Sequence, residues 1–195
     1  GNRETGALGD GGVTTGTSST PVAVDHTNIP DGAMLWKVSV GSDVACALSS
    51  SGAAYCWGYG LDGNLGNGDV ASSNVPVPVT MPQGVSFTSI SVGFDHVCAV
   101  GSDGAAYCWG FGGSGRLGDD GGPDPHYVAV PNPVDTGEPD AVHSETPLAG
   151  KTVVDVVAGT YSSCALTSDN VVACWGGPTH GFCEPALLRR WGRSV

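Results

Sequence analysis

Positive charge is scarce in this 195-residue chain: Lys and Arg together number 7 against 19 Asp and Glu, a formal net charge of -12 at pH 7. Arg189, Arg190 and Arg193 all fall near the C-terminal end, so the body of the chain is more acidic still. A surface of that sign repels a phosphate backbone, which argues against nucleic acid as a partner. Long apolar runs are missing too. No stretch approaches the ~20 residues a helix needs to span a bilayer, and no signal peptide is visible. The zinc signatures are absent, since they need short Cys-x-x-Cys knuckles or added His. No Ser-His-Asp order, paired catalytic carboxylates or metal triad stands out, so the sequence offers no enzyme. Only 13% of residues are charged, against 32 Gly and 13 Pro, a balance that favours short strands and many turns over helices.

What the chain has is repetition. Cys-Trp-Gly occurs at Cys56-Trp57-Gly58, Cys108-Trp109-Gly110 and Cys174-Trp175-Gly176. With the copies aligned on Gly41, Gly93 and Gly159, a first Cys (Cys46, Cys98, Cys164) and a second (Cys56, Cys108, Cys174) follow at fixed offsets. Gly63-Asn64-Leu65-Gly66 and Gly115-Arg116-Leu117-Gly118 repeat a further motif, which Gly6-Ala7-Leu8-Gly9 matches. The chain is therefore expected to begin mid-repeat. Past Trp175-Gly176 the run from Gly177 to Cys183 leaves the pattern. Self-similarity at this period is the mark of a propeller or solenoid. The array is expected over 1–182, as a partial repeat (1–35) and repeats over about 36–86, 87–152 and 153–182, with a divergent tail at 183–195.

Trp36, Val38 and Val40 alternate with other residues before Gly41, as do Thr88, Ile90 and Val92 before Gly93, and Val154, Val156 and Ala158 before Gly159. Period two predicts a half-buried strand. A second strand then runs through Val44–Leu48, turns at Ser49–Gly52 and returns through Ala53–Trp57. In that hairpin Cys46 and Cys56 stand opposite one another on one face, at a separation that suits a disulfide. The same arithmetic pairs Cys98 with Cys108 and Cys164 with Cys174. Each closed loop is expected to stabilise its unit by roughly 3 kcal/mol. Three such pairs point to an oxidising, extracellular compartment. Metal ligation and redox chemistry are the rival readings of paired Cys. Trp57, Trp109 and Trp175, one per repeat, are expected as anchors between neighbouring units.

Gly93-Phe94-Asp95-His96-Val97-Cys98-Ala99, Asp103-Gly104, Tyr107-Cys108-Trp109-Gly110 and Gly115-Arg116-Leu117-Gly118 resemble the regulator of chromosome condensation repeat family. The resemblance runs over nearly the whole chain. It implies an all-β fold, a β-propeller whose four-stranded blades, typically about seven, form a ring, each repeat supplying strands to adjacent blades. This chain would hold about three blades plus a partial one, an incomplete ring with open faces. The family's Gly-x-x-His histidine is matched only by His96; Val44 and Ser162 stand in the other units.

Few motifs carry chemistry. Gly58-Tyr59-Gly60-Leu61-Asp62-Gly63 and Gly110-Phe111-Gly112-Gly113-Ser114-Gly115 satisfy a dinucleotide fingerprint, but no helix follows to hold a pyrophosphate. Asp62, Asn64, Asn67 and Asp69, and separately Asp119, Asp120 and Asp124, are acidic or amide clusters with oxygens for calcium, though neither has calcium-loop spacing. No other cofactor is implied. Cys183, the unpaired seventh cysteine, reads as an intermolecular thiol; a nucleophilic couple with His180 is the rival reading. The second repeat carries an insertion from Asp119 to about Ala149, a binding loop or a merely tolerated one, with Asp119, Asp120, Asp124, His126 and Tyr127 as its contacts. The resulting expectation is a secreted, non-catalytic protein-interaction or structural module, whose partner is another protein or a second copy. A fibre or coat protomer joined through open blade edges is the alternative. The family's nucleotide exchange on a small GTPase is a further one, opposed by the acidity and the cysteines.

Overall fold

A computed structural model describes residues 1, 3–12, 15–119, 126–134 and 146–177. Among these the regular structure is β, with a single 3-10 turn at Gly113–Gly115. The first sheet is β1 (Leu35–Val40), β2 (Val44–Ser49), β3 (Ala54–Gly58) and β4 (Ser73–Pro78), paired antiparallel in chain order. The second repeats it with β5 (Phe87–Val92), β6 (His96–Gly101), β7 (Ala106–Phe111) and β8 (Tyr127–Pro133). The third holds β9 (Val153–Ala158), β10 (Ser162–Thr167) and β11 (Val172–Gly176). Each sheet is one propeller blade, and β1, β5 and β9 are the innermost strands. No helix of the described residues is long and apolar enough to cross a membrane.

The hairpins form where the sequence permits a left-handed turn. Gly52, Gly104 and Asn170 occupy one position of the repeat, with φ of 80°, 81° and 65°. Asn tolerates that region better than other residues with a side chain. Across each hairpin the cysteines are register partners and disulfide-bonded: Cys46–Cys56, Cys98–Cys108 and Cys164–Cys174, with Cα atoms 4.1, 4.2 and 4.0 Å apart. The outer strands β4 and β8 carry Pro76, Pro78, Pro131 and Pro133, which an edge strand tolerates because its outer N–H groups bond no neighbour.

The core lies between blades. Leu48, Ala54 and the Cys46–Cys56 bridge pack on Phe87, Ile90, Val92 and Trp109 of the next blade. Val100, Ala106 and the Cys98–Cys108 bridge pack in the same way on Val153, Val156, Ala158 and Trp175. Trp109 is fully buried and stacks on Phe87 with ring centroids 5.9 Å apart.

Two expectations are corrected. Period-two alternation puts Val38 and Val40 on the buried side of a half-buried strand, yet they are 64% and 67% exposed. Their counterparts Ile90 and Val92 are 2% and 7% exposed, and Val156 and Ala158 are 3% and 9%. The difference is the neighbour: β5 and β9 each lie against a preceding blade, whereas β1 has only part of one. The insertion, second, is not one loop. Tyr127–Pro133 is the regular outer strand β8, so the extra length divides between the β7–β8 and β8–β9 connections, at opposite ends of the blade. Asp120, Asp124, Cys183, His180 and the 183–195 tail lie outside the described residues.

Candidate functional site

In each meander the β1–β2 and β3–β4 connections, and their equivalents, emerge at the same end of the blade. One rim of the arc therefore carries residues 41–43, 59–72, 93–95, 112–119, 126 and 159–161. Its backbone is tightly packed at the hub: a Cβ on Gly41 would collide with the Gly93 carbonyl, and one on Gly93 with the Gly159 carbonyl. The Phe94 N–H donates to the Gly159 carbonyl at 3.1 Å. Lower on the inner strands, Lys37 Nζ donates to Ser89 Oγ, which donates to Asp155 Oδ1, each at 2.7 Å. Those three residues share one repeat position on β1, β5 and β9, so the polar chain crosses all three blades.

The indoles set the spacing of the rim loops. Trp57, Trp109 and Trp175 donate from Nε1 to the carbonyls of Ala7, Asn64 and Arg116 at 3.2, 3.0 and 2.9 Å. Each acceptor is the second residue of Gly-x-Leu-Gly in the preceding unit. The last Gly of that motif (Gly9, Gly66, Gly118) has φ of 66–67° and lies against the same indole ring. Trp is thus the anchor between units that its one-per-repeat spacing suggests.

Arg116 is the organising side chain of the rim. Only 2% exposed, it pairs with the Asp95 carboxylate, donates from Nε to the Gly113 carbonyl at 2.7 Å and from Nη1 to the Thr160 carbonyl at 3.1 Å. Its guanidinium lies 4.9 Å from the Phe111 ring centre and 5.2 Å from that of Tyr161, a cation–π bracket. Nearby, burial and the negative charge of Asp95 raise the Asp62 carboxyl above its ordinary value, and burial and then Asp62 raise the Tyr59 phenol. Leu61, Phe94 and Tyr161 stand about half exposed on this rim, at 56%, 54% and 49%.

Asp95, His96 and Ser163 have the outline of a hydrolytic triad but not its chemistry. His96 Nε2 lies 2.8 Å from Ser163 Oγ, and its Nδ1 is 3.9 Å from Asp95 Oδ1, beyond hydrogen-bond reach. Ser163 Oγ donates to the Arg116 carbonyl at 3.0 Å, so His96 must donate from Nε2, leaving Nδ1 without a hydrogen-bond partner. A base whose proton already sits on the serine side cannot accept one from it. Both side chains are buried, at 1% exposure. Burial holds the His96 imidazole below its ordinary pKa, against the opposing pull of Asp95. The pair is a structural tie between blades.

Other sequence candidates resolve as follows. His126 Nε2 lies 3.2 Å from Asp119 Oδ2 at the base of the β7–β8 connection, and Tyr127 is 58% exposed at the start of β8. Asn64 is buried and donates to the Asp95 carbonyl at 2.9 Å, Asn67 accepts the Asp69 N–H, and Asp69 accepts the Val70 N–H. The Asn67 and Asp69 oxygens serve separate local turns, the Asn64 Oδ1 is buried without a hydrogen-bond partner, and among the described residues no three His, Cys, Asp or Glu side chains are grouped to hold a metal ion. Sequence reasoning missed Arg116, Asp95 and Ser163 as a group. The motif exposes Arg116 only as the variable residue of Gly-x-Leu-Gly, and its partners are 21 and 44 residues away.

Two models of the regulator of chromosome condensation (RCC1) repeat match, one over residues 51–100 and 103–166, the other over 87–116 and 153–181. The chain belongs to the RCC1 repeat family. An RCC1 repeat at 51–100 runs from β3 to β6, so it covers the outer half of one blade and the inner half of the next, as the resemblance implies. The chain is 32% identical over 181 residues to the human E3 ubiquitin-protein ligase HERC2, matching 90% of this chain and 3% of that one. It is 28% identical over 168 residues to the Ultraviolet-B receptor UVR8 of Arabidopsis thaliana, matching 82% of this chain and 35% of the receptor. The chain thus spans about a third or less of these relatives. Among solved structures, human WBSCR16 superposes with a TM-score of 0.67 at 22% identity, covering 90% of this chain and 41% of that chain. Yeast RCC1 (Prp20), solved bound to Kap60, gives 0.67 at 20% identity, covering 90% and 38%. The RCC1 fold is therefore a propeller, here an incomplete ring that among the described residues has two four-stranded blades, one three-stranded blade and part of another.

Proposed function

We propose that this RCC1 segment is a non-catalytic, extracellular docking module that engages a protein partner through the Arg116 rim. The observation that carries the docking role is the combination of rigidity and exposure on that rim. Arg116 ties two blades together, while Phe94, Leu61 and Tyr161 remain open to solvent beside it. Aromatic side chains on a rigid frame are the usual anchors of protein interfaces. The net charge of -12 favours a partner that presents basic residues and disfavours a phosphate backbone. One disulfide per blade supports an oxidising compartment, where such bonds persist.

The test is a photo-crosslinking residue placed at Phe94 or Tyr161, with Val130 on the outer strand as control, in the protein displayed on its source cells. One discrete protein adduct is expected from positions 94 and 161 and none from 130. Equal labelling from all three positions, or no adduct from the rim, would overturn it.

A further inference from the structure

The position of the Arg116 guanidinium has a counterpart one unit earlier in the rim, and there the repeat supplies no cation. Arg116 is the second residue of its Gly-x-Leu-Gly motif, and Asn64 is the same residue of the preceding one. Phe111, one ring of the bracket around Arg116, corresponds to Tyr59, each lying two residues past the repeat Trp. Asp95, the carboxylate partner of Arg116, corresponds to Asp43. Tyr161, the second ring, corresponds to Asp95 itself. The earlier position therefore keeps one ring and one carboxylate, and has a further carboxylate where the later one has its second ring.

Asp62 adds a third acid. Burial and then the charges of Asp62, Asp43 and Asp95 raise the Tyr59 phenol, so all three carboxylates act on this one ring. Arg116 pairs with Asp95, but no Lys, Arg or His among the described residues pairs with Asp43 or Asp62. Asp43 accepts from the Thr5 and Ser42 hydroxyls. Asn64 is fully buried, and its Nδ2 donates to the Asp95 carbonyl at 2.9 Å, which turns the amide toward the same acidic corner. The Asn64 Oδ1 has no hydrogen-bond partner. A buried acceptor left unpaired is costly. Beside two uncompensated carboxylates, the group that answers it is a donor carrying positive charge.

We infer that the rim between the first two blades takes an arginine side chain of a protein partner, held by Asp43, Asp62 and the Asn64 amide oxygen against the Tyr59 ring. Arginine fits this set better than lysine, because a planar guanidinium offers five N–H donors and stacks on aromatic faces, as Arg116 does one unit later. Leu61 and Phe94, about half exposed beside the corner, cover the aliphatic part of the guest. The site rests on the reading of this rim as the docking face and supplies the chemistry of its partner. Because a small probe tests it on the isolated chain, its failure and the failure of rim crosslinking are separate results.

The probe is N-acetyl-arginine methylamide, titrated into the 15N-labelled 195-residue chain at physiological ionic strength and read as amide chemical shifts. Saturating shifts are expected at Asp43 and over residues 59–65, with weaker shifts from the lysine compound and none from the neutral citrulline one. Asp62→Asn should weaken arginine binding at least about fivefold, since it removes a charge-assisted contact. Asp69→Asn, which removes an exposed carboxylate of the same loop, should bind like wild type. Asn64→Arg, which places in the chain itself the guanidinium that Arg116 supplies one unit later, should melt no lower than wild type and no longer bind the probe. Asp62→Asn tests the same corner without adding volume to a buried position. Absence of saturating shifts in this region, equal binding of the arginine and citrulline compounds, or equal loss in D62N and D69N would overturn the inference. Binding that emerges only after Arg189, Arg190 and Arg193 are changed to Ser would overturn the assignment to a partner, since the chain would then supply its own arginine.

Discussion

At the scale of single residues, this chain is held by contacts between positions that recur in every unit. Gly66 shows the constraint: its φ is 67°, and a Cβ there would lie 2.6 Å from Trp109 Nε1. Gly84, with φ of 75° and nothing within 4 Å of a Cβ, meets only the backbone half of it. Gly66→Ala should therefore destabilise by about 2–4 kcal/mol and Gly84→Ala by about 1 kcal/mol, read from urea unfolding midpoints. His96 makes a pH-dependent contribution of known sign. Its folded pKa is lowered by burial from the ordinary 6.5, so the unfolded chain binds the proton more readily. The stability of the neutral imidazole is present in full above about pH 6.5 and lost as pH falls through the folded value. Unfolding midpoints of the wild type should drop between about pH 7 and 5, and His96→Gln should flatten that part of the profile; an unchanged slope would contradict the assignment. The Trp anchors were legible in the sequence because three copies kept one spacing. The His96–Ser163 bond was not, because it joins non-repeating residues 67 positions apart.

At the scale of strands and blades, the hairpins follow from alternation, turn residues and opposed cysteines, all local signals. The outer strands do not. Tyr127–Pro133 contains two prolines and sits inside an insertion, so its sequence reads as loop until pairing with β7 places it at an edge. The exposed side of β1 was equally invisible, since Val38 and Ile90 are alike in sequence and differ only in what lies next to them. That difference has a chemical consequence for the bridges. Cys46–Cys56 and Cys98–Cys108 are sealed between blades, whereas Cys164–Cys174 faces outward. Timed reduction with a phosphine, followed by alkylation and peptide mapping, should label Cys164 and Cys174 first, by at least about tenfold in rate, because thiol–disulfide chemistry depends on access. Simultaneous reduction of all three would show that the blades open as one unit.

At the scale of the whole molecule, the arc combines an acidic surface, a rim of fixed loops and a staple in each blade. The hydrophobic core is distributed between neighbours, so no blade buries both its faces alone. Architecture was legible from periodicity and from the family resemblance; the rim was not, because Arg116, Asp95 and Tyr161 converge only once the blades are stacked. An extracellular docking module of this build requires the staples to be present in the functioning protein. They are tested by peptide mapping under non-reducing conditions on material from the native source, with free thiols alkylated at harvest. The predicted result is the three linked pairs Cys46–Cys56, Cys98–Cys108 and Cys164–Cys174, with no alkylated cysteine among the six. Recovery of those cysteines as alkylated thiols would contradict both the staples and the extracellular assignment.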